Sequence, residues 1–148
     1  MRPSARSAHA ATSLYADDGR LVVAGVPYLN ARPLVDPLEN ADFAAKVQLV
    51  RAPSFEVSRM LGEEECGAAL VPVAAAATLG SVVFVPGAGV CARGAVRSVL
   101  LLADRPVESL DTILLDATSR TSVVLARLIV AARGNTKARF RVAPPELA

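Results

Sequence analysis

Apolar residues fall in short runs separated by Pro, Gly and polar turns, and the runs alternate between strand-like and helix-like spacing. Residues 21–26, Leu-Val-Val-Ala-Gly-Val, are a β-branched stretch closed by Pro27, which predicts a buried strand. Asn30 then precedes Ala31-Arg32-Pro33. An Asn at an N-cap accepts from an orphan N–H, and a Pro in the first turn has no N–H to leave unpaired, so a helix is expected here, ending near Leu38. Residues 47–50 predict a second strand, and Pro53-Ser54 opens a helix that places Val57, Met60 and Leu61 on one apolar face. Residues 67–71 form a third strand stopped by Pro72, followed by an Ala-rich helix over 73–79 that is too short to stand without tertiary support. Residues 82–85 and 96–102 read as further strands on either side of the loop Pro86-Gly87-Ala88-Gly89. Beyond Pro106 come a strand over 112–115, a polar turn, an apolar helix over 123–132 and a strand over 138–142. This alternation predicts an α/β protein with a mainly parallel sheet.

Composition narrows the class. A chain of 148 residues with 53% hydrophobic residues can bury one real core, and 4% aromatics with no Trp make that core one of Ala, Val and Leu. The net charge of +2 is small, and the arginines are spread without the clustering or aromatic interleaving of a nucleic-acid surface, so no nucleic acid is expected as partner. No apolar run reaches the ~20 residues of a membrane-spanning helix. The N-terminus lacks the continuous apolar stretch of a secretory signal, so residues 1–19 read as a flexible extension and the protein as cytoplasmic. Cys66 and Cys91 have no CxxC spacing and no nearby His, which argues for buried free thiols rather than a disulfide or a zinc site.

The candidate chemistry lies where strands end. The turn Thr118-Ser119-Arg120-Thr121-Ser122 puts hydroxyls, a guanidinium and free N–H groups at the start of a helix. It suits a carboxylate or phosphate, with Arg120 able to add a bidentate pair, and it equally suits a simple N-cap; spacing alone leaves both readings open. Asn30, after Tyr28-Leu29, and Ser54 follow the first and second strands at the side where open α/β sheets bind ligands. Taken singly each reads as a cap; three polar strand exits in one chain make a common cleft. Glu63-Glu64-Glu65 reads as a solvated turn and a poor metal site, and Gly87 and Gly89 do not make a dinucleotide motif. His9, the one histidine, falls in the N-terminal extension, so a Ser-His-Asp or Cys-His mechanism lacks its base. No metal and no cofactor are expected.

Read together, the blocks Val26-Pro27-Tyr28-Leu29-Asn30-Ala31-Arg32-Pro33-Leu34, Ala52-Pro53-Ser54, Ala69-Leu70-Val71-Pro72, Gly94-Ala95-Val96-Arg97-Ser98-Val99 and Leu115 to Val123 resemble, in order and spacing, those of the chorismate dehydratase family of menaquinone biosynthesis by the futalosine pathway. The resemblance runs from about Leu21 to the Pro144-Pro145-Glu146-Leu147 tail. It implies a periplasmic-binding-protein type 2 fold: an incomplete first lobe over 20–98, then over 99–148 a hinge crossing and the start of a second lobe, with substrate held between lobes. It also implies dehydration of chorismate to 3-[(1-carboxyvinyl)oxy]benzoate without redox cofactor or metal. By the same resemblance Asn30 is catalytic, and Tyr28, Ser54, Ser98, Ser119, Arg120, Thr121 and Ser122 bind substrate.

The chain departs from that family in two ways. Val73 follows Pro72 where family members usually carry Ser, which removes one hydroxyl contact, and the family continues well beyond the final Pro-Pro-Glu-Leu. These departures keep open an alternative, a non-catalytic homologue or small-anion binding protein of the same fold. They also imply that Val124, Leu125, Leu128 and Ile129 are partly in water. Self-association, or a complementing C-terminal half, is the expected remedy.

Overall fold

The computed structural model describes residues 14–143. His9, most of the expected N-terminal extension and the Pro144-Pro145-Glu146-Leu147 tail lie outside the described residues. Two compact units divide between Val90 and Cys91, where the sequence places the division after residue 98.

The first unit, Met1–Val90, is built on a parallel three-stranded sheet of order β2-β1-β3, with β1 at Leu21–Gly25, β2 at Val47–Arg51 and β3 at Ala68–Ala69. Parallel neighbours need crossover connections, and the helical segments between strands supply them. The first crossover contains the 3-10 turn Leu29–Ala31, helix α1 at Arg32–Val35, a second 3-10 turn at Asp36–Glu39 and helix α2 at Ala41–Ala44. The second is helix α3, Ser54–Gly62, which carries the chain past β1 to its other side. A short helix α4, Val73–Ala76, follows β3.

The core is aliphatic and small, as the composition requires. Val22, Ala24, Val26, Ala31, Ala52, Val57, Met60 and Cys66 form one buried cluster around the central strand. Small residues permit close layers: a Cβ on Gly25 would sit 2.7 Å from Val35 Cγ1, so this position admits α1 only because it lacks one. Helix α3 ends with Glu64 in the left-handed region at φ 59°, where the Glu65 N–H reaches the Met60 carbonyl at 2.8 Å. That is the hydrogen-bond pattern a glycine usually closes.

The second unit, Cys91–Ala148, pairs β4 at Thr112–Asp116 in parallel with β5 at Arg139–Ala143 and lays helix α5, Arg120–Ala132, on one face. Ile113, Leu115 and Val130 are its buried centre. Gly134 at φ 81° ends α5, with the Asn135 N–H on the Val130 carbonyl at 3.1 Å. Val124, Leu125, Leu128 and Ile129 are exposed, as the reading of an uncovered helix face required.

Two expectations are corrected. Residues 82–85 and 96–102 are not strands: a β-branched run becomes a strand only where a neighbour completes its ladder, and no described strand lies alongside either. Among the described residues of the expected extension, the Val22 N–H bonds to the Leu14 carbonyl at 3.0 Å and Tyr15 bridges Leu21. Cys91 is exposed, because it falls in the apolar stretch that finds no sheet, whereas Cys66 is buried. The Glu63-Glu64-Glu65 turn is solvent-facing as read, and Arg59 engages both Glu63 and Glu65 there.

Candidate functional site

Each strand of the first unit ends at a proline that cannot continue the ladder: Pro27 after β1, Pro53 after β2 and Pro72 after β3. The chain therefore leaves the sheet at one edge, the carboxyl end of the strands. In order β2-β1-β3 the connections from β1 and β2 run to opposite sides of β1, which makes that end a topological switch point.

Tyr28 and Ser54 meet there. Ala24 pairs with Val50, and each hydroxyl residue stands four positions beyond that rung. Ser54 Oγ lies 3.5 Å from Tyr28 Oη, oriented to donate to it. This is long for an O–H···O bond, so the two hydroxyls also remain available to an oxygen placed between them. Tyr28 is exposed and Ser54 half-buried.

Asn30 is exposed in the middle of the Leu29–Ala31 turn, and its side chain has no hydrogen bond among the described residues. The capping roles read for Asn30 and Ser54 are both overturned. The N-cap of α1 is Ala31 and that of α3 is Pro53, neither with a side-chain cap bond, because Pro53 already holds the extended ψ of 153° that an N-cap needs. Ser54 is instead the first residue of α3, and its carbonyl accepts from Ser58 Oγ at 2.7 Å. Beside Asn30, an open depression is lined by Leu29, Arg32, Pro33, Asp36, Pro37 and Asn40. On its wall the Asp36 carboxyl is held below the usual carboxylate range by hydrogen bonds from Arg32 and then from Arg51.

In the second unit the polar turn is organised by Asp116, a role the sequence reading missed although an Asp two residues before a Thr is an Asx-turn signal. Asp116 Oδ1 accepts from the Thr118 N–H and from Thr118 Oγ1, both at 2.8 Å. Ser119 is the N-cap of α5: its Oγ accepts from the Ser122 N–H at 3.3 Å and donates to Ser122 Oγ at 2.7 Å. The capping reading thus holds for Ser119, with Ser122 as its partner. Arg120 and Thr121 have no side-chain hydrogen bond or ion pair among the described residues, and they stand at the positive end of a 13-residue helix. Ser98 lies in an exposed bend and has no side-chain hydrogen bond among the described residues.

Other chemistry is restrained by its surroundings. Burial, with Glu65 adding to it, pushes the Cys66 thiol up and away from the reactive thiolate. No group of three or more His, Cys, Asp or Glu among the described residues is placed to hold a metal ion. No described helix is long and apolar enough to cross a membrane.

No curated protein matches the chain. A family profile described as menaquinone biosynthesis does match, over residues 21–148, from the first residue of β1 onward. That span holds Tyr28, Asn30, Ser54 and the Asp116-to-Ser122 turn, and the chain belongs to this menaquinone biosynthesis family.

Proposed function

We propose that the chain is a chorismate dehydratase of the futalosine route, a cytoplasmic lyase on a periplasmic-binding-protein type 2 fold. The observation that carries the reading is the meeting of Tyr28 and Ser54 at the switch point of the β2-β1-β3 sheet, in a chain of this family. Chorismate loses its ring hydroxyl and the neighbouring ring hydrogen as water, leaving an aromatic enolpyruvyl benzoate. Aromatisation supplies the driving force, and the substrate's own enolpyruvyl carboxylate takes the proton, so the protein need only position and polarise. Asn30 hydrogen-bonds the leaving hydroxyl, and Tyr28 and Ser54 orient the ring substituents.

Incubation of the purified chain with chorismate, followed by chromatography for the aromatic product, tests this. Wild type is expected to turn over, and Asn30→Ala to lower kcat by about 100-fold with little change in chorismate affinity, the scale set by removing one preorganised donor. Absence of both product and binding overturns the reading. A second reading, a carboxylate-binding homologue without turnover, is favoured by one observation: Asn30 is held by no side-chain hydrogen bond among the described residues. Binding without product would select it.

A further inference from the structure

Parallel sheets are ordinarily covered on both faces, and the β4–β5 sheet is covered on one. Ile113 and Leu115 turn towards α5, where Val130 completes the buried centre. Phe140, the rung partner of Ile113, packs on the same side, with the Arg127 guanidinium of α5 4.7 Å from its ring centroid. Side chains alternate along a strand, so Thr112, Leu114 and Asp116 of β4 and Arg139, Arg141 and Ala143 of β5 make up the opposite face.

Leu114 stands at the middle of that face, 57% exposed, beside its rung partner Arg141, and Thr112 with Arg139 makes the neighbouring rung. Neither Arg139 nor Arg141 has a side-chain hydrogen bond or ion pair among the described residues. The one carboxylate on the face, Asp116, is engaged by the Thr118 N–H and hydroxyl. An apolar centre is thus edged by two guanidiniums without a counter-charge. The whole unit has the same sign: residues 91–143 hold nine Arg and Lys against four Asp and Glu. A second copy docked through this same face would set guanidinium against guanidinium, so the charge calls for an acidic occupant. Strands of five residues are about 17 Å long, and a helix of three turns, about 16 Å long and 10 Å wide, covers two of them.

We propose that the open face of the β4–β5 sheet docks an acidic amphipathic helix of a partner protein, with its apolar row on Leu114 and its carboxylates on Arg139 and Arg141.

Fluorescence anisotropy of the full chain with two labelled synthetic peptides tests it. Each peptide is a helix of about 14 residues with one leucine row, flanked by Glu in the first and by Lys in the second. The Glu peptide is expected to bind about tenfold more tightly than the Lys peptide at low salt, and to lose most of that advantage in about 0.5 M NaCl. Replacing both arginines, Arg139→Gln with Arg141→Gln, should weaken the Glu peptide about tenfold, the loss of two exposed ion pairs. Leu128→Glu, on the solvent side of α5, should leave it within about twofold. All three residues are exposed, so unchanged melting temperatures are expected, and each single Arg→Gln variant serves should the pair misfold. Amide shifts on adding the Glu peptide should fall at residues 112–116 and 139–143. Equal binding of the two peptides, indifference to the arginine replacements, or shifts confined to residues 121–132 overturns the inference.

Discussion

Tyr28 and Ser54 are 26 positions apart in the chain, yet their hydroxyl oxygens stand 3.5 Å from one another. The cause is register. Strands β1 and β2 run parallel with Gly25 opposite Arg51, so residues at equal distance beyond the last rung become neighbours, and the prolines after each strand keep the exits short. The candidate site is thus a consequence of sheet order and strand length, with few side-chain contacts needed to assemble it.

That dependence makes the packing beneath the exit testable. A methyl group on Gly25 would meet Val35 Cγ1 at 2.7 Å and Val35 Cβ at 3.4 Å, and a β-branched valine has little rotamer freedom to yield. Gly25→Ala is expected to destabilise the protein by about 1–3 kcal/mol, as overpacking does. On Gly67 the closest atom is Leu21 Cδ1, the far end of a side chain that can rotate, so Gly67→Ala should cost less. Chemical denaturation of both variants checks the order, and a larger loss for Gly67→Ala would contradict it.

Asn135 ties the second unit together. Its Nδ2 donates to the Val107 and Leu110 carbonyls, both at 2.8 Å, and its Oδ1 accepts from the Lys137 and Ala138 N–H groups. The residue is buried, so Asn135→Ala leaves carbonyls unpaired and should cost about 1–3 kcal/mol. Faster hydrogen exchange from 107 to 116 and from 138 to 143 is the expected sign.

Acid should loosen the first unit. Hydrogen bonds from Arg59 hold the Glu56 and Glu65 carboxyls below their ordinary value of 4.5, and those from Arg32 and then Arg51 hold Asp36 below 3.8. A carboxyl whose pKa is lower folded than unfolded stabilises the protein above the unfolded value, and that contribution is lost as pH falls through the folded one. Melting temperature should therefore hold down to about pH 5 and fall below about pH 4.5, with a shallower fall in high salt because these groups are solvent-facing. In Arg59→Gln the Glu56 and Glu65 share of this fall should disappear, flattening the acid limb. An unchanged limb would contradict the assignment.

The apolar face of α5 should be measurable as such. Val124, Leu125, Leu128 and Ile129 are each about half exposed, and a contiguous patch of this kind attracts dyes and other apolar surfaces. Leu128→Glu is expected to reduce binding of an apolar dye and to lower any self-association seen by light scattering, with little loss of stability since Leu128 is 60% exposed. Unchanged dye binding would show that the patch lies elsewhere.

Much of the α/β pattern was legible because Pro and Gly punctuate it. The strands at Leu21–Gly25, Val47–Arg51, Thr112–Asp116 and Arg139–Ala143 fall where β-branched runs precede or follow those residues, and α3 and α5 follow their apolar spacing. Residues 82–85 and 96–102 carry the same local signal without forming strands, since a ladder partner is not a local property. The polar exits were legible as positions but not as roles. Asn30 and Ser54 look like caps in sequence, yet Ala31 and Pro53 occupy the cap positions, whereas Ser119 does cap α5. The contact of Tyr28 with Ser54 and the fourfold anchoring by Asn135 depend on pairings across 25 residues or more for Ser54 to Tyr28 and Asn135 to Val107 and Leu110, which periodicity does not encode.

The most direct measurement is a titration of isotope-labelled protein with chorismate, read by amide chemical shifts while the same spectra report substrate and product. Shifts are expected to concentrate at residues 26–30, 52–55 and 70–74, the three exits beyond the Ala24 rung, together with growth of aromatic product signals. Shifts that spare Tyr28, Asn30 and Ser54, with chorismate unchanged, would contradict this expectation.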